Sequence, residues 1–476
     1  MIHKRKSGVL LPVFSLPGDF GCGTFGDSAY RWIDILSESG FSYWQVLPFG
    51  ICDDHNSPYM SYSSFGGNPL FIDPETLYRQ GLITKAELDS QRVSDPYLCQ
   101  YALLKEKRMD FFRRISETVR DPSDILDFAQ KHPEIRDTCR FLALKKANNG
   151  ATWQEWTVKD PDPKEEFAQI LMQYHFHQQW ERLHRYAALK GISVIGDLPF
   201  YVSQNSYDVY SAPNKFQLDE AYEPAFVAGV PPDYFSEEGQ RWGNPLYRWE
   251  TMKEDGFLWW KKRLSYMLSL FDGLRIDHFR AIAAYWSIPA REKSAKAGEW
   301  KKGPGRDLID AIREVAGEQL ILAEDLGIID EATKELLRYS GFPGMGVFQF
   351  GFDGNPNSVH LPHNYRENQV VYSGTHDNNT LLGFLWEADD ELRDSILDYL
   401  GYPADGCEGV LRALMMSRAG IVIFPFQDLM KFGADTRINT PGRAAGNWQY
   451  RITREQMEKL DRQKYLHLNR IYSRTP

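Results

Sequence analysis

Residues 271–280 read Phe271-Asp272-Gly273-Leu274-Arg275-Ile276-Asp277-His278-Phe279-Arg280. A short apolar run here carries one arginine and ends on a carboxylate. Side chains two apart on a strand share a face, so Arg275 and Asp277 project the same way, and the cation should hold the acid ionised. Two other runs end on an acid in the same manner: Ser193-Val194-Ile195-Gly196-Asp197 and Leu320-Ile321-Leu322-Ala323-Glu324. Five more complete the set. They are Ser7-Gly8-Val9-Leu10-Leu11, Tyr43-Trp44-Gln45-Val46-Leu47-Pro48, Gly346-Val347-Phe348, Val370-Val371-Tyr372-Ser373-Gly374 and Gly420-Ile421-Val422-Ile423-Phe424. Continuous apolar runs of this length fit strands covered on both faces, as in a parallel sheet. Helical periodicity fills several intervals, at 27–39, 306–318 and 331–338. The pattern predicts an α/β fold, a (β/α)₈ barrel. A doubly wound open sheet is the alternative, but no G-x-G-x-x-G turn follows the first strand. Asp197, Asp277 and Glu324 at strand C-termini sit where barrel enzymes keep their catalytic groups.

Two connections are too long for ordinary βα loops. The chain is therefore expected to be one catalytic barrel over 1–476 with two large insertions at the C-terminal face. Residues 53–185 form a mainly helical one, with amphipathic patterns at 101–115 and 163–189. Residues 203–260, rich in Pro, Gly, Tyr and Trp, form a loop-rich one covering the cleft.

Composition narrows the partners. A net charge of −10 argues against nucleic acid and anionic membranes, which need a basic face. The 13 Trp and 25 Tyr suit a cleft that stacks neutral sugar rings. Five cysteines without C-x-x-C or Cys/His spacing point to neither a disulfide framework nor a zinc site. The basic start Met1-Ile2-His3-Lys4-Arg5-Lys6 is not followed by a signal-peptide apolar stretch, and no run of about 18 apolar residues occurs. A cytoplasmic protein without cofactor or metal is expected, monomer or homodimer.

The chemistry concentrates in three segments: that around Asp277, then Leu322-Ala323-Glu324-Asp325-Leu326-Gly327, then Ser373-Gly374-Thr375-His376-Asp377-Asn378-Asn379-Thr380. Cleaving a glycosidic bond with retention takes two carboxyl groups about 5–5.5 Å apart, one attacking and one protonating the leaving oxygen. Burial at the end of an apolar strand would raise the pKa of Glu324 and suit it to the acid role. Singly, an Arg-x-Asp is an ordinary structural ion pair, and Asp325 reads equally as a helix cap. The three together favour a glycosidase-type site.

The sequence resembles glycoside hydrolase family 77, the amylomaltases or 4-α-glucanotransferases, kin of the α-amylases. The resemblance runs nearly end to end. It rests on Ser57-Pro58-Tyr59, on Ser63-Ser64-Phe65-Gly66-Gly67-Asn68-Pro69-Leu70 and on Gly196-Asp197-Leu198-Pro199-Phe200-Tyr201-Val202. It continues through Pro231-Pro232-Asp233-Tyr234-Phe235, Gly239-Gln240-Arg241-Trp242-Gly243-Asn244-Pro245, Pro425-Phe426-Gln427-Asp428-Leu429 and Arg437-Ile438-Asn439-Thr440-Pro441-Gly442. It implies Asp277 as nucleophile, Glu324 as general acid/base and Asp377 as the transition-state stabiliser. Arg275 would orient Asp277, and His278 and His376 would bind hydroxyls. Asp197, Tyr59 and Ser57 would line the donor side, with Tyr59 as a stacking platform. Tyr234, Phe235 and Trp242 would cover the cleft, and Asn439 and Gln427 would be polar contacts or supports. Phe426, where the family often has Met, and Phe200, more often aliphatic, are the departures; both keep an apolar side chain.

The implied reaction is disproportionation of α-1,4-glucans. A glucanosyl segment passes through a glycosyl-Asp277 intermediate to the 4-hydroxyl of glucose or another maltooligosaccharide, and cycloamylose formation is a further expectation. An α-amylase-type hydrolase would use the same three carboxylates, so it stays open as the alternative. A non-catalytic glycan binder would not need acids at strand ends.

Overall fold

The computed structural model describes residues 4–232, 237–327, 329–443 and 445–476. Eight parallel strands form one sheet: β1 (Lys6–Leu10), β2 (Tyr43–Gln45), β3 (Ser193–Leu198), β4 (Gly273–Ile276), β5 (Leu320–Ala323), β6 (Gly344–Val347), β7 (Gln369–Tyr372) and β8 (Ile421–Pro425). The order is β6-β7-β8-β1-β2-β3-β4-β5, which is chain order around a ring. First and last strands pair throughout, Lys6 opposite Ile421 to Leu10 opposite Pro425. The seam lies between β5 and β6. There the Ala323 N–H donates to Pro343 O at 2.9 Å, and the Asp325 carboxylate accepts the Met345 N–H at 2.6 Å. The sheet is thus a nearly closed (β/α)₈ barrel, and all eight apolar runs are its strands. The sixth begins two residues earlier than its sequence pattern, because Gly344 and Gly346 break the apolar run that marks the other strands.

Every residue of β4, β6, β7 and β8 is buried, as expected for strands sandwiched between a filled barrel interior and a helical coat. Packing dictates two glycines. A Cβ on Gly8 would lie 2.6 Å from that of Tyr43, and one on Gly196 would lie 2.3 Å from the Phe271 ring. Helices alternate with strands: Asp27–Glu38 after β1, Leu258–Leu270 before β4, Arg306–Ala316 before β5, Glu331–Ser340 before β6 and Gly406–Met416 before β8. Two of them start on a capping aspartate, Asp330 and Asp405. Asp330 accepts the Thr333 N–H at 2.8 Å and Gly341 takes the left-handed turn, φ 69°, that stops Glu331–Ser340.

Between β2 and β3 lie helices Pro74–Arg79, Lys85–Ser90, Tyr101–Thr118, Ser123–Lys131, Pro133–Ala147 and Pro163–Leu189. The last is 27 residues long. It packs on the preceding helices and on β3, joining the inserted region to the barrel coat. Residues 203–260, aperiodic in sequence, contain two strands, Phe226–Val230 and Gln240–Pro245. With Ala284–Pro289 and Glu299–Lys302 these form a separate antiparallel sheet. Within each half the pairing is local, Phe226–Val230 with Gln240–Pro245 and Ala284–Pro289 with Glu299–Lys302, while the central pairing joins segments on either side of β4. Among the described residues all five cysteines are free and buried, and no helix is long and apolar enough to cross a membrane.

Candidate active site

The strand ends converge as their register requires. Asp197 lies opposite Arg275 across β3 and β4, and both side chains turn inward. Arg275 Nη1 donates to both Asp197 oxygens at 2.8 Å, while its Nη2 reaches Asp277 Oδ1 at 2.9 Å. One buried guanidinium therefore orients two carboxylates with different exposure. The Asp197 side chain is wholly sealed, whereas that of Asp277 is 30% exposed and opens to the cleft. A planar fork with several donors is what such a double task needs.

Asp277 directly follows β4, and Glu324 directly follows β5. After Asp277 the backbone turns through His278 in the left-handed region, φ 51°, which is uncommon for a non-glycine and held by the surrounding structure. The turn points the His278 N–H at Glu324 Oε2, 2.7 Å away, and the Phe279 N–H at Glu324 O, 2.9 Å away. The other carboxyl oxygen, Oε1, accepts from the Leu326 N–H at 2.9 Å. Glu324 is thereby tied to the residue adjoining Asp277. Burial pushes its pKa up to about 8; Arg275 pulls it down and the neighbouring Asp277 charge supports the rise.

Asp377 approaches from the loop after β7. Its Oδ1 accepts from Asn439 Nδ2 at 2.6 Å and lies 3.3 Å from His376 Nε2. Desolvation in the cleft opposes its ionisation, but His376, Asn439 and Arg275 outweigh it and lower its pKa to about 2. Two of the three carboxyl groups thus diverge strongly, one poised to hold a proton and one to remain charged. Such divergence is the mark of assigned acid–base roles.

Tyr59 ties the two halves together. Its hydroxyl donates to Asp197 Oδ2 at 2.8 Å and lies 3.0 Å from His376 Nε2, and its ring stacks on His376 at 5.3 Å. Ser57 accepts the Tyr59 N–H at 3.2 Å and so shapes this loop. Burial lowers the His278 pKa to about 4, and its Nε2 is buried without a protein partner. Trp242 stands edge-on to the His278 ring at 4.9 Å, its indole N–H bonded to Gln240 at 3.1 Å. Asn439 is at the site, as described above. Gln427 is buried behind it, donating to Thr436 O at 3.0 Å. Tyr234 and Phe235 lie outside the described residues.

Three neighbours went unassigned in the sequence. Arg437 Nη2 donates to Asp377 O at 3.0 Å. Trp448 packs 5.7 Å from Tyr59 and 5.8 Å from His376. Tyr201 lies between Tyr247 and His278. Arg437 and Tyr201 fall within the quoted motifs, which was the available signal; Trp448 had none. Among the described residues no group of three or more His, Cys, Asp or Glu is placed to hold a metal.

Asp277, Glu324 and Asp377 stand at the C-terminal rim of a (β/α)₈ barrel, where barrel enzymes keep their catalytic groups. Residues 11–457 match the glycoside hydrolase family 77 profile, described as 4-alpha-glucanotransferase, and the chain belongs to that family. It is 38% identical to the 4-alpha-glucanotransferase of Aquifex aeolicus over 96% of this chain and 97% of the relative. It is 39% identical to that of Thermus thermophilus over 94% and 95%. A solved amylomaltase from Streptococcus agalactiae, in complex with acarbose, superposes with a TM-score of 0.95 at 37% identity, covering 99% of this chain and all of that one.

Proposed function

We propose that the chain disproportionates α-1,4-glucans by double displacement through Asp277. The observation that carries this reading is the strap joining the acid to the nucleophile: Glu324 accepts the N–H of His278, next in chain to Asp277, while Arg275 fixes Asp277 from the other side. Asp277 Oδ attacks the anomeric carbon as Glu324 delivers its proton to the departing glycosidic oxygen, leaving a glycosyl ester and a free 4-OH glucan. Glu324, now ionised, takes the proton of an incoming 4-hydroxyl, whose oxygen attacks the anomeric carbon, breaks its bond to the carboxylate oxygen and releases Asp277. Configuration is retained by two inversions. Asp377, ionised at all working pH values, and His376 hold hydroxyls of the distorted donor ring, and the unpartnered His278 Nε2 is free to do likewise. The Streptococcus agalactiae amylomaltase was solved in complex with acarbose, which supports an oligosaccharide as the substrate. Glucose or a maltooligosaccharide is the acceptor, and attack by the donor's own far end would yield cycloamylose.

Transfer over hydrolysis depends on keeping water from the ester. Trp242, seated on His278 and held by its antiparallel sheet, contributes that cover.

An activated donor tests the covalent step. Given α-maltosyl fluoride, whose leaving group needs no acid, the Glu324→Gln variant should accumulate a maltosyl adduct on Asp277, visible by intact mass and peptide mapping. Turnover with no adduct, or an adduct on another residue, would remove Asp277 as nucleophile.

A further inference from the structure

The segment Pro425-Phe426-Gln427-Asp428-Leu429 closes β8, yet neither of its polar residues enters the chemistry above. Asp428 is 1% exposed and Gln427 3%, so neither offers surface to a substrate. What they hold is specific. Asp428 Oδ2 accepts the Ser373 hydroxyl at 2.5 Å, and Oδ1 accepts the Leu381 N–H at 2.7 Å. Ser373 and Leu381 are the two ends of the loop that carries His376 and Asp377. Gln427 Nε2 donates to Thr436 O at 3.0 Å, at the start of a second segment. That segment reaches back to the first at three points. Arg437 donates to Asp377 O at 3.0 Å, Asn439 Nδ2 donates to Asp377 Oδ1 at 2.6 Å, and the Asn439 N–H donates to His376 O at 3.1 Å.

We infer that Gln427 and Asp428 are a paired clasp that positions Asp377 and His376, one residue pinning the loop that bears them and the other pinning the segment that aims them. Consecutive residues at the mouth of β8 thereby set the geometry of a carboxylate they never touch. Their rigidity comes from the barrel: Phe424 and Pro425 pair with Val9 and Leu10 of β1, and the Phe432 N–H closes the turn onto Gln427 O at 2.9 Å. The clasp is a positioning device rather than a substrate contact, and it rests on the reading of Asp377 as a transition-state group.

The test is a double-mutant cycle between Asp428→Ala and Asp377→Asn, read as kcat and KM on maltotriose with thermal melting alongside. A displaced loop should cost about 10–100-fold in kcat, the scale of a misplaced catalytic group, with KM changed less than about threefold. In the Asp377→Asn background the same Asp428→Ala change should cost less than about twofold, because groups acting as one unit are non-additive. Asp428→Asn keeps an acceptor for Leu381 and a partner for Ser373, and should recover most of the lost kcat. Should Asp428→Ala not fold, Gln427→Leu loosens only the Thr436 tether and should lower kcat about 5–20-fold. A folded Asp428→Ala or Gln427→Leu enzyme with unaltered kcat, or a loss that is additive with Asp377→Asn, overturns the clasp. An Asp377→Asn enzyme with wild-type kcat would instead overturn the role of Asp377 on which it rests.

Discussion

Arg275 is the residue on which the electrostatics turn. It binds a sealed carboxylate and an open one, so Asp277 can be held in place without being neutralised by a private partner. Glu324, a bond away through the His278 N–H, feels the same cation yet keeps its proton, because burial outweighs it. In the proposed mechanism Glu324 must be protonated to act, and burial pushes its pKa up to about 8. The rate of glycosyl transfer should therefore fall as pH rises through about 8, and the loss should be confined to substrates with poor leaving groups. A pH–rate profile of kcat/KM on maltotriose and on α-maltosyl fluoride checks this, and an alkaline limb of equal steepness for both would assign the limb to another group. Glu324→Gln should cost about 10²–10⁴-fold in kcat/KM on maltotriose, the usual worth of a general acid, and much less in the first, glycosylating step with the fluoride. At this scale the sequence displayed the charged groups that the structure brings together at the candidate site, since Arg275 and Asp277 are two residues apart at the end of one strand and Glu324 ends another. It did not display what holds them. Tyr59 meets Asp197 across 138 positions and His376 across 317, and no local pattern encodes such a bond.

Among the elements, the seam of the barrel and the added sheet depart most from a regular design. At the seam one backbone bond and one side chain do the work that a full ladder does elsewhere. Asp325 supplies the acceptor for the Met345 N–H, and burial raises its pKa to about 7, so it takes part as a buried polar link. Asp325→Leu would leave that N–H unsatisfied and should destabilise the protein by about 1–3 kcal/mol, measured as a lower urea midpoint at unchanged m-value. An unchanged midpoint would show that the Ala323–Pro343 bond closes the barrel alone. The antiparallel sheet brings Trp242 over His278. Trp242→Ala should raise the ratio of hydrolysis to transfer, read as released reducing ends per transfer event, and a constant ratio would end its role as a water-excluding cover. Strand periodicity revealed the barrel because each parallel strand is covered on both faces. The central pairing of the smaller sheet, Phe226–Val230 with Ala284–Pro289, spans β4 and so shows only in three dimensions.

The whole molecule is a barrel with long connections after β2 and β3. Tyr59 from the connection after β2, Trp242 from the sheet beside β4 and the loops after β7 and β8 bring side chains to the end where strand geometry places Asp277 and Glu324. Fold, site and family agree on a 4-α-glucanotransferase, but three carboxylates are common to transfer and hydrolysis, so the partition of the glycosyl ester is the central claim. Incubation of the purified protein with maltotriose, following product lengths and total reducing ends together, decides it. Glucose plus a ladder of longer maltooligosaccharides at constant reducing ends is the result expected here. A rise in reducing ends matching the loss of donor would contradict it and make water, not a sugar hydroxyl, the acceptor at Asp277.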